Sequence, residues 1–202
     1  MSDSIDDRTC QESRYTVDHL IKRIENQDRK AIHIFRLNLL LIGILLTSLT
    51  ILLTMGVIID PFLNLWSLAG VISLLGSTFI AAVTYTSSGY DIGISPQIIE
   101  NVEREEYTDV QDFDSELIGL YKEWIRHNRS VGDFNVYLVM VSILSAFNGI
   151  VFVLGGAMIG VLDYGGTFVS YILFLSLIVI LLVVDAVIWT ADELYVRFGG
   201  NR

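Results

Sequence analysis

The side chain best placed to do chemistry is Asp185, the one charge within a stretch otherwise uncharged from Tyr164 to Thr190. A charge at the centre of a bilayer costs about 2.5–3.5 kcal/mol on insertion scales, and such residues pair with another charge or mark an ion path. Asp185 stands five residues before Thr190, roughly 7 Å below the membrane surface at the helical rise. Arg36 is the matching base: it precedes another uncharged stretch, and the two depths agree if both segments meet hydrocarbon at the same face. An ion pair between Arg36 and Asp185 is therefore expected. A hydrogen bond from Asn38 or from a Ser or Thr is one competing arrangement, and a water-filled dip near the surface is another.

The remaining candidates argue against catalysis. No Gly-x-Ser-x-Gly elbow, His-Glu-x-x-His pair or phosphate-binding Gly-x-x-x-x-Gly-Lys loop occurs, so the common hydrolytic and nucleotide signatures are missing. His19, His33 and His127 lack paired ligand spacing, and Cys10 is the single cysteine, which leaves neither a disulfide nor a thiolate cluster for a metal. Asp112, Asp114, Glu116 and Glu123 match positions 1, 3, 5 and 12 of a calcium loop, but position 6 is Leu117, where the sharp turn requires glycine. No catalytic, cofactor or metal site is expected, and the chain reads as a non-enzyme. Small residues four apart recur in Ser145-x-x-x-Gly149 and Gly156-x-x-x-Gly160. In lipid such pairs let helix backbones approach closely, either within one chain or between copies.

These residues sit in elements long enough to cross a membrane. Uncharged runs cover 37–59, 61–90, 134–162 and 164–184, and a helix needs about 20 apolar residues to span ~30 Å of hydrocarbon. Across the 202 residues 52% are hydrophobic and the mean hydropathy is +0.56, but the clustering decides the matter. A buried soluble bundle would need a polar outer face, and these runs are apolar all round. The fold class expected is all-α: a polytopic membrane protein with four transmembrane helices and amphipathic cytoplasmic helices. Residues 1–32 are polar, so the N-terminus does not read as a signal peptide.

Orientation follows from the 13 Lys and Arg. Seven lie at or before Arg36, four (Arg104, Lys122, Arg126, Arg129) lie between the second and third runs, and Arg197 and Arg202 follow the fourth. The other two connections, Asp60-Pro61 and Asp163 to Gly166, carry none. Basic residues near span ends stay in the cytoplasm, so both termini and the central loop are expected inside. The sequon Asn128-Arg129-Ser130 would then go unused. Trp66 and Tyr171 are expected toward the outer interface and Trp189 toward the inner one.

The organisation expected is a disordered acidic tail over 1–14, an amphipathic helix plus first transmembrane hairpin over 15–90, an acidic cytoplasmic helical loop over 91–133, and a second transmembrane hairpin with a short tail over 134–202. Val17, Leu20, Ile21, Ile24 and Ala31 recur at helical spacing, and Asp60-Pro61 should end the first span. In the loop, Ser95-Pro96 opens a helix reaching about Tyr107, another starts near Asp114 or Ser115, and Gly132-Asp133 marks a kink. Both hairpins start inside, which would make any duplication a parallel one. Net charge is −10, with 23 acidic against 13 basic residues. An acidic surface of this kind suits a salt-rich cytoplasm, where at 1 M salt the Debye length of ~3 Å removes most self-repulsion.

Asp28-Arg29-Lys30-Ala31 leading into Phe35-Arg36-Leu37-Asn38 and Leu40-Leu41-Ile42-Gly43, with Tyr121 and Trp124-Ile125 before Asn128, resembles an uncharacterised haloarchaeal family of small four-span integral membrane proteins. The resemblance covers residues 15 to 190 and implies an archaeal plasma membrane; it assigns no functional residue. Three roles are open: a non-enzymatic interaction or sensing module working as an oligomer, a pore-forming or membrane-perturbing effector, and an ion channel or transporter centred on Asp185. The polar inventory of the spans (Asn38, Asn64, Asn148, Asp185 and scattered Ser and Thr) is thin for a transporter. The first role is favoured. The expected partners are the lipid bilayer, a second copy of the chain, and a cytoplasmic protein bound through residues 15–32 and 95–130; no nucleic acid is expected.

Overall fold

The computed structural model describes residues 5–87, 89, 100, 104, 110–162, 164 and 167–199, of which 5–7, 111 and 191–199 are described by backbone alone. Four long helices carry the described fold: α1 (Ile5–Thr54), α2 (Leu65–Thr86), α3 (Val110–Val161) and α4 (Phe168–Gly199), with a 3-10 turn at Asp60–Phe62 between the first two. No strand occurs among the described residues. Each of the four contains a window long and apolar enough to cross a membrane. The protein is an all-α, polytopic membrane protein.

Local chemistry explains where the helices end. α1 stops in a Schellman motif: Gly56 adopts φ +69°, its N–H bonds Leu53 O at 3.1 Å, and Val57 N–H bonds Leu52 O at 3.0 Å. Glycine takes this left-handed conformation without the Cβ penalty. The stop therefore lies ahead of Asp60-Pro61, where it was expected; Pro61 instead opens the 3-10 turn. Asn64 then caps α2, its Oδ1 accepting the Ser67 N–H at 3.0 Å, as N-cap residues do. Thr167 plays the same part for α4, its Oγ1 accepting the Ser170 N–H at 3.3 Å.

Burial along the helices repeats every seven residues. On α1 the row is Val17, Ile24, Ala31 and Asn38, all at most 3% exposed. On α3 it is Asn128, Asn135 and Ser142, continued by Gly149 and Gly156. On α2, Gly70, Ser77 and Thr84 are buried seven apart, with Leu74 and Ala81 between them. A spacing of 3.5 residues per turn is that of left-handed supercoiled packing.

Two compact units divide the chain. The first comprises residues 1–33 and 80–140. Within it the polar half of α1 lies along the polar half of α3: Ile24 is fully buried beside Gly132, and Arg23 bridges Asp133 at 3.0 Å. Near their N-termini the Cys10 thiol approaches Asp114 O at 3.8 Å. Burial raises the Tyr121 phenol above its ordinary pKa, with the Arg14 charge opposing the shift.

Three expectations change here. Residues 5–14, expected as a disordered tail, are helical, because this turn of α1 has a neighbour in α3 rather than water alone. The loop helix starts at Val110 rather than near Asp114, and it passes Gly132-Asp133 without interruption; the glycine faces Ile24, so a small residue is used for approach and not for a break. The helix expected over 95–107 lies outside the described residues apart from Glu100 and Arg104, whose backbones bond at 2.9 Å. Asn128 of the sequon is fully buried.

The second unit comprises residues 34–79 and 141–202. Its apolar cluster joins Trp66, Phe152, Ile159 and Leu181. Trp66 meets Phe174 edge-on at 5.3 Å and Phe152 at 6.5 Å, geometries that suit the ring quadrupoles. Its indole N–H donates to Ser170 Oγ at 3.1 Å. Trp66 was expected at the lipid–water interface; at 6% exposure it is a core residue, with its one polar atom satisfied by protein. Tyr171 and Trp189 are both exposed, at 50% and 36%.

Candidate functional site

The candidate site is the set of polar and glycine contacts inside the second unit. Its frame is the close approach of α2 to α3. A Cβ added at Gly70 would fall 2.7 Å from Val153 N and 2.9 Å from Gly149 O, and one at Gly149 would fall 2.9 Å from Leu74 Cγ. At Gly155 it would strike Trp66 Cε3 at 2.6 Å, at Gly156 it would meet Ser67 N at 2.7 Å, and at Gly160 it would meet Pro61 O at 2.9 Å. Glycine at these positions lets the two backbones touch, as small residues do between helices in lipid. Asn64 fastens one end of this seam: its Nδ2 donates to Pro61 O at 3.0 Å and to Gly156 O at 2.9 Å.

A three-helix polar node lies farther along the same seam. Asn38 Nδ2 of α1 donates to Ser77 Oγ of α2 at 2.7 Å. Ser77 Oγ is 2.7 Å from Ser142 O and 3.1 Å from Ser142 Oγ. The Ser142 hydroxyl donates back to Ser77 O at 2.9 Å. All three side chains are fully buried, which makes each bond shielded from competing water. Asn38 Oδ1 is buried and takes no hydrogen bond.

Asp185 belongs to a second pair. Its Oδ2 accepts a hydrogen bond from Asn148 Nδ2 of α3 at 2.9 Å. Asp185 Oδ1 and Asn148 Oδ1 are both buried without a hydrogen-bond partner. Along α4 the inward-facing residues are Ser170, Phe174, Leu177, Ile178, Leu181 and Asp185, so the carboxylate closes the stripe that meets the rest of this unit.

The expected partner is elsewhere. Arg36 is exposed, and among the described residues no ion pair joins it to Asp185. The carboxylate takes an amide from α3, because matching depth along two helices does not make those helices neighbours at that depth. Of the small-residue motifs, Gly149, Gly156 and Gly160 pack against α2 and the 3-10 turn of their own chain. Ser145 is half-buried, and no side-chain hydrogen bond joins it to the seam; Ser142, one turn earlier, holds that place. Ser77, Ser142, Gly70 and Gly155 are not among the residues expected from sequence. The signal for three of them was present in the spacing: Gly70-Ser77-Thr84 and Asn128-Asn135-Ser142-Gly149-Gly156 each recur every seven residues.

The arrangement can orient helices and hold a carboxylate in an apolar setting. No protein-family model, curated protein or solved structure matches this chain.

Proposed function

We propose that this chain is a multi-pass protein of the cell membrane, with both termini in the cytoplasm, that acts without catalysis as an interaction or sensing module. One observation carries the reading: α1 and α3, of 50 and 52 residues, run unbroken from polar segments into apolar spans, with a seven-residue buried row that reaches Asn38 on α1 and Gly156 on α3. Helix shifts and rotations are a common switching device, and in the proposed role a contact made on the polar half of such a helix biases the half in the membrane. The orientation is supported by the thirteen-to-none distribution of basic residues. The partners proposed are a second copy of the chain and a cytoplasmic protein bound through residues 15–32 and 95–130. The acidic surface and the haloarchaeal resemblance support a salt-rich cytoplasm as the setting.

A second reading, an ion channel or transporter centred on Asp185, draws on the unpartnered buried oxygens of Asp185 and Asn148. Reconstitution in sealed vesicles separates the readings. The interaction module leaves the vesicles tight to both ions and dye. Ion conductance lost on Asp185→Asn would replace it with the channel, and dye leakage that survives Asp185→Asn would replace it with a membrane-perturbing effector. Orientation is tested by Asp60→Cys, Asp163→Cys and Asp109→Cys in a Cys10→Ser background. The first two should react with an impermeant thiol reagent in intact cells and the third only after lysis; labelling of position 109 in intact cells would reverse the topology.

A further inference from the structure

Two rows of basic side chains stand free in a chain whose acidic residues outnumber its basic ones by 23 to 13. On α1, Lys22, Arg29 and Arg36 recur every seven residues and are exposed. They lie opposite the buried row Ile24, Ala31 and Asn38, given the ~100° step between successive helical residues. On α3, Lys122, Arg126 and Arg129 follow at spacings of four and three, all exposed, and such spacings share one face. None of the six takes a hydrogen bond or ion pair among the described residues. Acids were within reach. Glu25 stands four residues before Arg29, the favourable order for a helical pair, yet makes no ion pair. Asp133 stands four residues after Arg129 and is bound to Arg23 instead.

The position of each base relative to the apolar runs supplies the second argument. The uncharged runs begin just after Arg36 on α1 and just after Asp133 on α3. At the helical rise Arg36 sits at the boundary, Arg129 about 7 Å and Arg29 and Arg126 about 10–12 Å from it, while Lys22 and Lys122 lie roughly 18–22 Å away. The headgroup layer fills the first ~5–8 Å outside the hydrocarbon, and a long cationic side chain can extend toward it. Of these six, the four within reach are arginines and the two beyond it are lysines; Lys30, exposed about 9–10 Å from the boundary beside Arg29, adds a further charge within reach. Guanidinium presents a planar fork that matches a phosphate with two hydrogen bonds, which ammonium does not. Two spans separate the rows, so both meet the same leaflet whichever side of the membrane that is.

We propose that Arg29 and Arg36 on α1, and Arg126 and Arg129 on α3, bind the phosphate headgroups of anionic lipid in one leaflet. The inference goes beyond the interaction role and rests only on the four-span reading. Clusters of Lys and Arg beside a span attract anionic lipid by an amount equivalent to about fivefold in affinity per charge near the surface. The purified full chain in a neutral detergent is offered phosphatidylglycerol and phosphatidylcholine, and retained lipid is counted by native mass spectrometry. The wild type should retain phosphatidylglycerol preferentially. Arg29→Gln with Arg36→Gln, and separately Arg126→Gln with Arg129→Gln, should each lower that preference by roughly 25-fold for the two charges removed. Lys22→Gln with Lys122→Gln should leave it within about twofold, and millimolar inorganic phosphate should not compete. Equal retention of the two lipids, or lysine variants as damaging as the arginine ones, would overturn the proposal, and so would displacement by inorganic phosphate, which would make this a site for the free ion.

Discussion

Gly70→Ala and Gly76→Ala place the same methyl group on the same helix, six residues apart, with opposite consequences. At Gly70 the new Cβ falls 2.6 Å from Val153 Cγ2, 2.7 Å from Val153 N and 2.9 Å from Gly149 O. The last two are backbone atoms of α3 and cannot rotate aside. Carbon contacts are best at about 3.5–4.0 Å, so α2 and α3 must part by roughly 0.5–1 Å along this seam, which forfeits about a quarter to a half of each dispersion well across it. At Gly76 nothing lies within 4 Å, and the methyl meets open space. Alanine improves helix propensity over glycine at both sites by about the same amount, up to ~1 kcal/mol. The difference between the two variants therefore isolates the steric cost, which for overpacking is about 1–3 kcal/mol. Reversible unfolding in mixed micelles on titration with dodecyl sulfate, followed by circular dichroism, measures it. Gly70→Ala should unfold earlier than wild type and Gly76→Ala no earlier. Two variants agreeing within about 0.5 kcal/mol, the usual scatter of additivity, would mean that the helices are not in contact at Gly70.

Asn148→Leu leaves the buried carboxylate of Asp185 without its donor, so it should cost more than the double variant Asn148→Leu/Asp185→Leu, since an orphaned buried group costs ~1–3 kcal/mol and replacing both partners is close to neutral; the same titration reads it, and a double variant no better than the single would dissolve the pair. Gly160→Ile should lower stability while leaving the assembly size in mild detergent unchanged, because Gly160 meets Phe62 and Pro61 of its own chain. Light scattering after gel filtration checks this, and dissociation would assign the glycine to a contact between copies. Asn38→Leu should change stability by less than ~1.7 kcal/mol, the upper end for interhelical hydrogen bonds in lipid, yet raise the mobility of a spin label placed by Leu45→Cys in a Cys10→Ser background. Unchanged mobility would show that α1 is held by something other than the Asn38–Ser77 bond.

What was legible in the sequence is what depends on one helix at a time. The four spans follow from run length, and the row Val17, Ile24, Ala31 follows from periodicity, because burial on a helix repeats with its own geometry. What depends on two helices was not legible. Arg36 and Asp185 share a depth, but a depth says nothing of azimuth or of which helix stands alongside, and Asn148 on α3 took the place assigned to the arginine. Trp66 shows the same limit. Its type and its position near a span end suit an interface, yet Gly155 on the facing helix leaves room for its ring and Ser170 satisfies its N–H. The end of α1 differs from the expected one for another reason: Gly56 halts the helix in a left-handed turn before Pro61, the stronger helix breaker, is reached.

The polar residues of the seam contribute more to placement than to stability. In lipid there is no hydrophobic drive between helices, and an interhelical hydrogen bond averages only ~0.6 kcal/mol. Replacing the Asn38–Ser77–Ser142 node with well-packed apolar residues would change the folding free energy little. What it would remove is register. Beyond Asn38, no residue of α1 from Leu39 to Thr54 is buried within the chain, and only 6% of its apolar window is buried, against 28% for α2 and α3. Leucines along that stretch can slide past one another at small cost, since each offers the same surface to lipid as to protein. An amide that donates to one hydroxyl, which in turn donates to one carbonyl, makes both bonds in a single alignment. Buried polar residues at the seven-residue repeat serve this purpose in coiled coils, where they select register at some expense of stability. The same residues in α1, α2 and α3 give a lipid-facing helix one defined position in its unit.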